Sequence, residues 1–500
     1  MEKGNYALVF RGHSFGYEVQ ATAKLFIPGV RFILCEDGVI PEEIPNILLT
    51  ERTENADRHS PVCLRVQILL HGQQGEKQDT LPADADRSVQ EWTLCRMLYD
   101  VLHELTGYTP PWGLLTGIRP VRRLLQMAEG RSLEEAAEEM QQRYRISDAK
   151  MQLALTTARI QQPILPHSSK EIGLYISVPF CPTRCSYCSF VSHSMETAYK
   201  LIPAYVDKLC EEIAVLGDMI RRYGLTVQSV YIGGGTPTSL NAAQLRTVME
   251  AAAAHIAIDR AREYTVEAGR ADTITEEKLG VIREMGATRI SINPQTMHDH
   301  VLETIGRRHT VQQVLDAFET ARAVGFDDIN MDLIAGLPGD DEAGFAESLS
   351  RVMALDPESI TVHTLSVKRS ATMYQSDAVQ NTVPAVERMA ELAARELPAG
   401  GWMPYYLYRQ KNTIGNLENV GYAKPGKENL YNILIMDETQ TILGAGCAAS
   451  TKLIAPDGDI TRVMNYKFPY EYIDRFDLMM EKKQEIEAVL RKMQEENHVS

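Results

Sequence analysis

The chain has 500 residues, room for about two to four domains, and its 44% apolar and 24% charged content is that of an ordinary globular protein. A formal net charge of −16 argues against non-specific nucleic-acid binding, while leaving room for a local basic pocket. No apolar run reaches the length of a membrane helix, and the start MEKGNYALVF lacks the parts of a signal peptide, so a cytoplasmic address is expected.

Residues 1–165 read as an α+β N-terminal domain. Alternating apolar and polar residues predict strands over Asn5–Arg11, Glu18–Phe26, Phe32–Glu36 and Val62–Leu70. Helical spacing then predicts helices over Ser88–Leu105, Val121–Glu129 and Leu133–Arg143. A loop rich in Pro and Gly, Pro110–Pro120, lies between the first two of these, and Gln161–Lys170 reads as a linker.

Residues 170–368 change to strand followed by helix, repeated. Strands are expected at Leu174–Val178, Ser229–Ile232, Tyr264–Glu267, Arg289–Ile292, Asp328–Leu333 and Ser359–Leu365. Helices are expected at Ile202–Arg221, Ala242–Ala254, Glu276–Met285, Val311–Val324 and Glu342–Ala354. Such alternation implies a parallel sheet. Six units, against about eight in a closed barrel, imply a partial (βα)6 barrel with its functional residues at the C-terminal strand ends. Residues 369–500 read as a mixed, partly helical C-terminal extension that covers the substrate. It holds a helix at Ala385–Glu396, a run of tyrosines at Tyr405, Tyr406 and Tyr408, and a charged terminal helix.

Five of the eight cysteines are scattered, as reduced core cysteines usually are. Cys181, Cys185 and Cys188 are crowded after the first barrel strand with the spacing C-x3-C-x2-C. Three thiolates from one loop can hold a [4Fe–4S] cluster that is usually bound by four, leaving one iron open. An open iron can chelate the amino and carboxylate groups of S-adenosylmethionine. An electron passed into the sulfonium then breaks a C–S bond and gives a 5'-deoxyadenosyl radical. The alternative is a zinc site of Cys181, Cys185, Cys188 and His193, although zinc ligands usually come as two separated pairs.

The second strand ends in Gly233-Gly234-Gly235-Thr236, whose N–H groups can grip an amino-acid-like ligand. Later strand ends carry Glu267, Gln295 and Asp332, with Arg307 beyond the fourth. A carboxylate there can accept from ribose hydroxyls, and an arginine can pair with a carboxylate.

Through YISVPFCPTRCSYCSF, YIGGGTPT, SINPQT, INMDLIAGLPG and LGAGCAAST the chain resembles the radical S-adenosylmethionine superfamily, and within it the oxygen-independent coproporphyrinogen III oxidase group. GLLTGIRPVRRL and YYLYRQKNTIGNLENVGYA are similar to the longer branch with an extra N-terminal domain, coproporphyrinogen dehydrogenase. The resemblance implies Cys181, Cys185 and Cys188 as cluster ligands. It implies Tyr175, Tyr187, Gly234, Gly235, Thr236, Glu267, Gln295, Arg307 and Asp332 as S-adenosylmethionine contacts, and it assigns no further catalytic residue. The implied reaction is oxidative decarboxylation of two propionates of coproporphyrinogen III to vinyl groups, giving protoporphyrinogen IX in porphyrin and heme biosynthesis. The implied partners are a tetrapyrrole substrate and a flavodoxin- or ferredoxin-type electron donor, with no nucleic acid and no membrane span. Two positions depart from the oxidases. Phe190 stands where they carry a further cysteine, and Ser177 where they carry a histidine. Both departures lean toward the heme-chaperone branch, which keeps the cluster and binds heme; another radical reaction on a tetrapyrrole is a further alternative. For a substrate with four carboxylates, Arg119, Arg122, Arg123, Lys368 and Arg369 are candidate cations, and the three tyrosines candidate stacking partners.

Overall fold

A computed structural model describes residues 6–36, 38–39, 44–53, 60–166, 168–188, 190, 192–366, 382–410, 413–455 and 457–497. The chain divides into two compact units. One comprises Met1–Pro120, Gln126–Leu155 and Gly415–Leu417; the other comprises Val121–Leu125, Thr156–Ile414 and Glu418–Ser500.

The first unit holds a sheet of β1 (Tyr6–Arg11), β2 (Ile33–Cys35), β3 (Asn46–Thr53), β4 (Val62–Leu70) and β5 (Gln73–Leu81), in the order β2-β1-β3-β4-β5. The helices Gly16–Phe26 and Arg87–Thr106 pack on the face that carries Leu8, Phe10, Leu64 and Val66. The strand expected over Glu18–Phe26 is therefore a helix. Of its five buried residues, Val19, Thr22, Ala23 and Phe26 lie on one stripe, and that spacing outweighs the short run of alternation. Strand β5 lacks apolar alternation because it is an exposed edge. Its register is set by a two-residue turn in which His71 and Gly72 have φ of +48° and +81°.

The second unit is built on β6 (Glu171–Val178), β7 (Phe180–Cys181), β8 (His193–Ser194), β9 (Thr226–Gly234), β10 (Glu263–Glu267), β11 (Arg289–Ser291), β12 (Ile329–Ala335) and β13 (Ser359–Thr364). It continues through β14 (Met403–Arg409), β15 (Glu418–Ala423), β16 (Thr441–Ala445), β17 (Ser450–Ile454) and β18 (Ile460–Met464). Strands β6, β9, β10, β11, β12 and β13 pair in parallel, as the strand–helix alternation predicts. The connecting helices are Ile202–Tyr223, Ala242–His255, Glu276–Glu284, Val311–Val324 and Glu342–Ala354. Capping boxes at Asn241 and Thr310 start two of them, and left-handed Gly224 and Gly325 end two.

The sheet stays open. Beyond β13 it continues antiparallel through β15 to β14, and beyond β6 it continues through β16, parallel to β6, to the antiparallel β17 and β18. The stretch expected as a separate region from 369 thus supplies both flanks of the barrel sheet. The tyrosine run lies in β14, an edge strand.

The β16 flank is tied down by a buried polar node. Glu212 accepts from Gly446 N at 2.7 Å, Tyr472 Oη at 2.6 Å and Asn465 Nδ2 at 2.8 Å, and pairs with Lys483 Nζ at 2.5 Å. Tyr205 Oη donates to Ser177 O at 2.7 Å and accepts from Cys447 N at 2.9 Å, joining this flank to the end of β6. Among the described residues no helix is long and apolar enough to cross a membrane.

Candidate active site at the mouth of the half-barrel

The C-terminal strand ends surround a cavity of about 350 Å³. Of the residues singled out in the sequence, Cys181, Cys185, Cys188, Tyr187, Gly234, Gly235, Thr236, Glu267, Gln295, Arg307 and Asp332 line it. Tyr175 is the exception. It stacks with Tyr231 and Tyr431, ring centroids 6.3 and 6.0 Å away, and is not among the lining residues.

The cysteine loop leaves the barrel through β7, which pairs with β8. Cys185 is buried, and Cys181 Sγ lies 3.4 Å from Thr236 Oγ1. Burial pushes the Cys188 thiol up to about 11 and raises Cys181 as well. Among the described residues no group of three or more His, Cys, Asp or Glu could hold a single metal ion. The zinc alternative gains no support from this arrangement. His193 instead sets its ring edge-on to Phe468, with centroids 5.8 Å apart. A cubane spreads its ligands over separate iron atoms and needs no such common point.

The glycines act differently from the sequence expectation. The N–H groups of Gly234, Gly235 and Thr236 donate within the protein: to Glu267 Oε2 at 3.2 Å, Val178 O at 2.8 Å and Phe180 O at 2.7 Å. What glycine supplies here is close approach. A Cβ on Gly235 would stand 2.6 Å from Phe180 O, and one on Gly233 would stand 2.9 Å from Glu267 Oε2. This contact fixes the backbone next to Cys181.

Glu267 also accepts from Tyr231 Oη at 2.5 Å. Burial raises its carboxyl to about 7, against the lowering effect of the Tyr231 hydrogen bond. Burial acts on Asp332 in the same sense. There the donors His363, 3.6 Å away, and Asn330, 2.7 Å away, outweigh it and hold the carboxyl below its usual range. Two carboxylates on β10 and β12, on either side of β11, therefore differ in their proton affinity. Arg307 donates to Asn293 O at 2.5 Å and to Tyr187 Oη at 3.2 Å, and its Nε has no partner. Gln295, with φ of +70°, is locked by its backbone between Asp332 O and Ile334 N, while its Oε1 has no partner. Asn293 Oδ1 is likewise without a partner. Buried polar atoms of both signs without partners are what a site for a zwitterionic amino-acid group requires. The residues therefore fit a [4Fe–4S] cluster with S-adenosylmethionine.

Sequence reasoning missed Arg270, Arg289, Asn293 and His363, all of which line the cavity. Asn293 and His363 had a signal, being polar residues at or near strand ends. Tyr406 and Tyr408, weighed as stacking partners, line the cavity too. Arg122 meets Glu438 at 3.4 Å, whereas Lys368 and Arg369 lie outside the described residues.

An open parallel half-barrel with three cysteines at its first strand end defines the radical S-adenosylmethionine class. Residues 175–352 match the family model described as Radical SAM superfamily. The chain is 38% identical over 454 residues to the "Oxygen-independent coproporphyrinogen-III oxidase-like protein HemZ" of Bacillus subtilis (strain 168), covering 89% of this chain and 90% of that protein. It is 30% identical to the "Heme chaperone HemW" of the same organism over 54% of this chain and 69% of that protein. Among solved structures, coproporphyrinogen III oxidase (HemN) from Escherichia coli shares the fold. Its TM-score is 0.51 at 24% identity, over 64% of this chain and 72% of that one. The chain belongs to the oxygen-independent coproporphyrinogen III oxidase-like family of the radical S-adenosylmethionine superfamily, whose cofactors are a [4Fe–4S] cluster and S-adenosylmethionine.

Proposed function

We propose that this chain oxidatively decarboxylates two propionates of coproporphyrinogen III to vinyl groups without oxygen, giving protoporphyrinogen IX. The observation that carries the reading is the convergence of the cysteine triad and the polar strand ends on one cavity, in a chain aligned nearly end to end with an oxidase-like relative. When bound, the cluster and S-adenosylmethionine supply a one-electron reduction and a carbon-centred radical that removes hydrogen from the propionate β-carbon.

In this reading Cys181, Cys185 and Cys188 hold the cluster. Arg307 has a free Nε for the ligand's carboxylate and is braced by Asn293 O and Tyr187 Oη. Gln295 Oε1 accepts from the ammonium group. Glu267 and Asp332 accept from the ribose hydroxyls, and Tyr231 and His363 fix their orientation. Tyr406 and Tyr408, with parallel rings 6.2 Å apart, form an aromatic wall inside the cavity. A flavodoxin- or ferredoxin-type protein is the proposed electron donor.

The second reading, heme binding without oxidation, has support in the chaperone relatives and in Phe190. That side chain lies 65% exposed at the cavity, where the oxidases carry a cysteine. Anaerobic incubation of the reconstituted chain with S-adenosylmethionine, reductant and coproporphyrinogen III separates the two. The oxidase reading expects vinyl product with mass loss of two carbon dioxide units and four hydrogens, one carbon dioxide and two hydrogens from each propionate. Absence of that product together with stoichiometric heme binding would overturn it in favour of the chaperone.

A further inference from the structure

Arg270 follows β10, and its side chain is 3% exposed. Nη1 stands 3.8 Å from Cys185 Sγ and reaches Thr183 Oγ1 at 3.1 Å, on the loop between the first two cysteines. Nε and Nη2 fork onto the two oxygens of Asp272 at 3.1 and 2.9 Å. Behind Asp272 lies His309 Nδ1, 3.6 Å away, on a side chain with no exposure. A guanidinium is permanently charged, and this one is held on both sides, so it cannot turn away from the sulfur.

We propose that Arg270 is a positioning residue which aims an N–H donor at Cys185 Sγ and thereby sets the reduction potential of the cluster bound by the triad. One-electron reduction adds a negative charge to the cluster and its thiolates. A donor fixed beside a ligand sulfur stabilises that more negative state and raises the potential. The Arg270–Asp272 pair is neutral as a whole, yet its positive end faces the sulfur, and burial leaves little solvent to screen it. Arg307 also faces Cys185, but its Nε stays open for a ligand, whereas the Arg270 guanidinium is committed to Thr183, Asp272 and the sulfur. A brace for the Thr183 loop alone would need the Thr183 contacts and not the sulfur contact. The inference rests on the cluster assignment and is independent of the tetrapyrrole substrate.

The test is a dithionite titration monitored by electron paramagnetic resonance on the anaerobically reconstituted full chain, comparing wild type, Arg270→Gln and Arg270→Lys at equal iron and sulfide content. The midpoint potential of Arg270→Gln is expected below wild type, with Arg270→Lys between them. Equal midpoints at full iron content would overturn the proposal. If Arg270→Gln does not keep its iron, Arg270→Lys decides alone: a midpoint below wild type supports the proposal and an equal one overturns it. A wild-type chain that holds no cluster would remove the cluster assignment and this inference together, so the two failures are distinguishable.

Discussion

Glu267 is the residue where the fold sets a protonation state most directly. Its folded value of about 7 lies above the ordinary 4.5, so between them the folded chain keeps a proton that the unfolded chain has released. The stability contributed by this proton is full below 4.5 and is lost as pH rises through about 7. Relative to Glu267→Gln, wild type should therefore lose roughly 1–3 kcal/mol of stability from acid to mildly alkaline pH, a range kept low because the carboxyl faces a cavity. Denaturant unfolding of the two proteins across that range measures it, and a pH-independent difference would contradict the burial argument. The carboxylates and Arg307 were readable as polar residues near strand ends. Arg270 was not, because its role depends on meeting a cysteine 85 positions earlier in the chain, a contact that spacing does not encode.

At the scale of elements, the β9 turn and the β16 flank make separate demands. Gly235→Ala puts a Cβ 2.6 Å from Phe180 O, against backbone that has little room to give. It should cost about 1–3 kcal/mol and lower the iron retained per chain, because the displaced segment leads into Cys181. Unaltered iron and melting temperature would show that the close approach is not needed. Lys483 is 2% exposed and Glu212 is fully buried. Lys483→Met leaves a carboxylate without its cation and should destabilise by about 3–5 kcal/mol, and adding Glu212→Gln should recover part of that. Thermal unfolding of the three proteins reads this, and a double variant no better than the single would contradict it. The barrel strands were legible because each is a short apolar run followed by an amphipathic helix. Glu18–Phe26 was misread because a few residues of alternation fit either period. Strand β5 went unread because an exposed edge has no apolar face to show.

For the whole molecule, the six strands of the βα units and the open side follow from counting those units, and the structure adds a seventh parallel strand, β16, beside β6. The flanks did not follow, because β15 and β16 join the sheet beside strands far away in sequence, β13 and β6, and carry no βα repeat of their own. The same limit applies to the substrate. The residues proposed to hold the cofactor lie on or near successive barrel strands, whereas the groups proposed to meet a tetrapyrrole are scattered. The central claim is that the triad holds the cluster and that S-adenosylmethionine is cleaved there. It is tested most directly by anaerobic reduction of the reconstituted chain with S-adenosylmethionine, measuring iron content and 5'-deoxyadenosine for wild type and Cys185→Ala. The account predicts a full cluster and 5'-deoxyadenosine from wild type, and depleted iron with no nucleoside from the variant. A Cys185→Ala protein that keeps its full iron, or a fully loaded wild type that releases no 5'-deoxyadenosine, would contradict it.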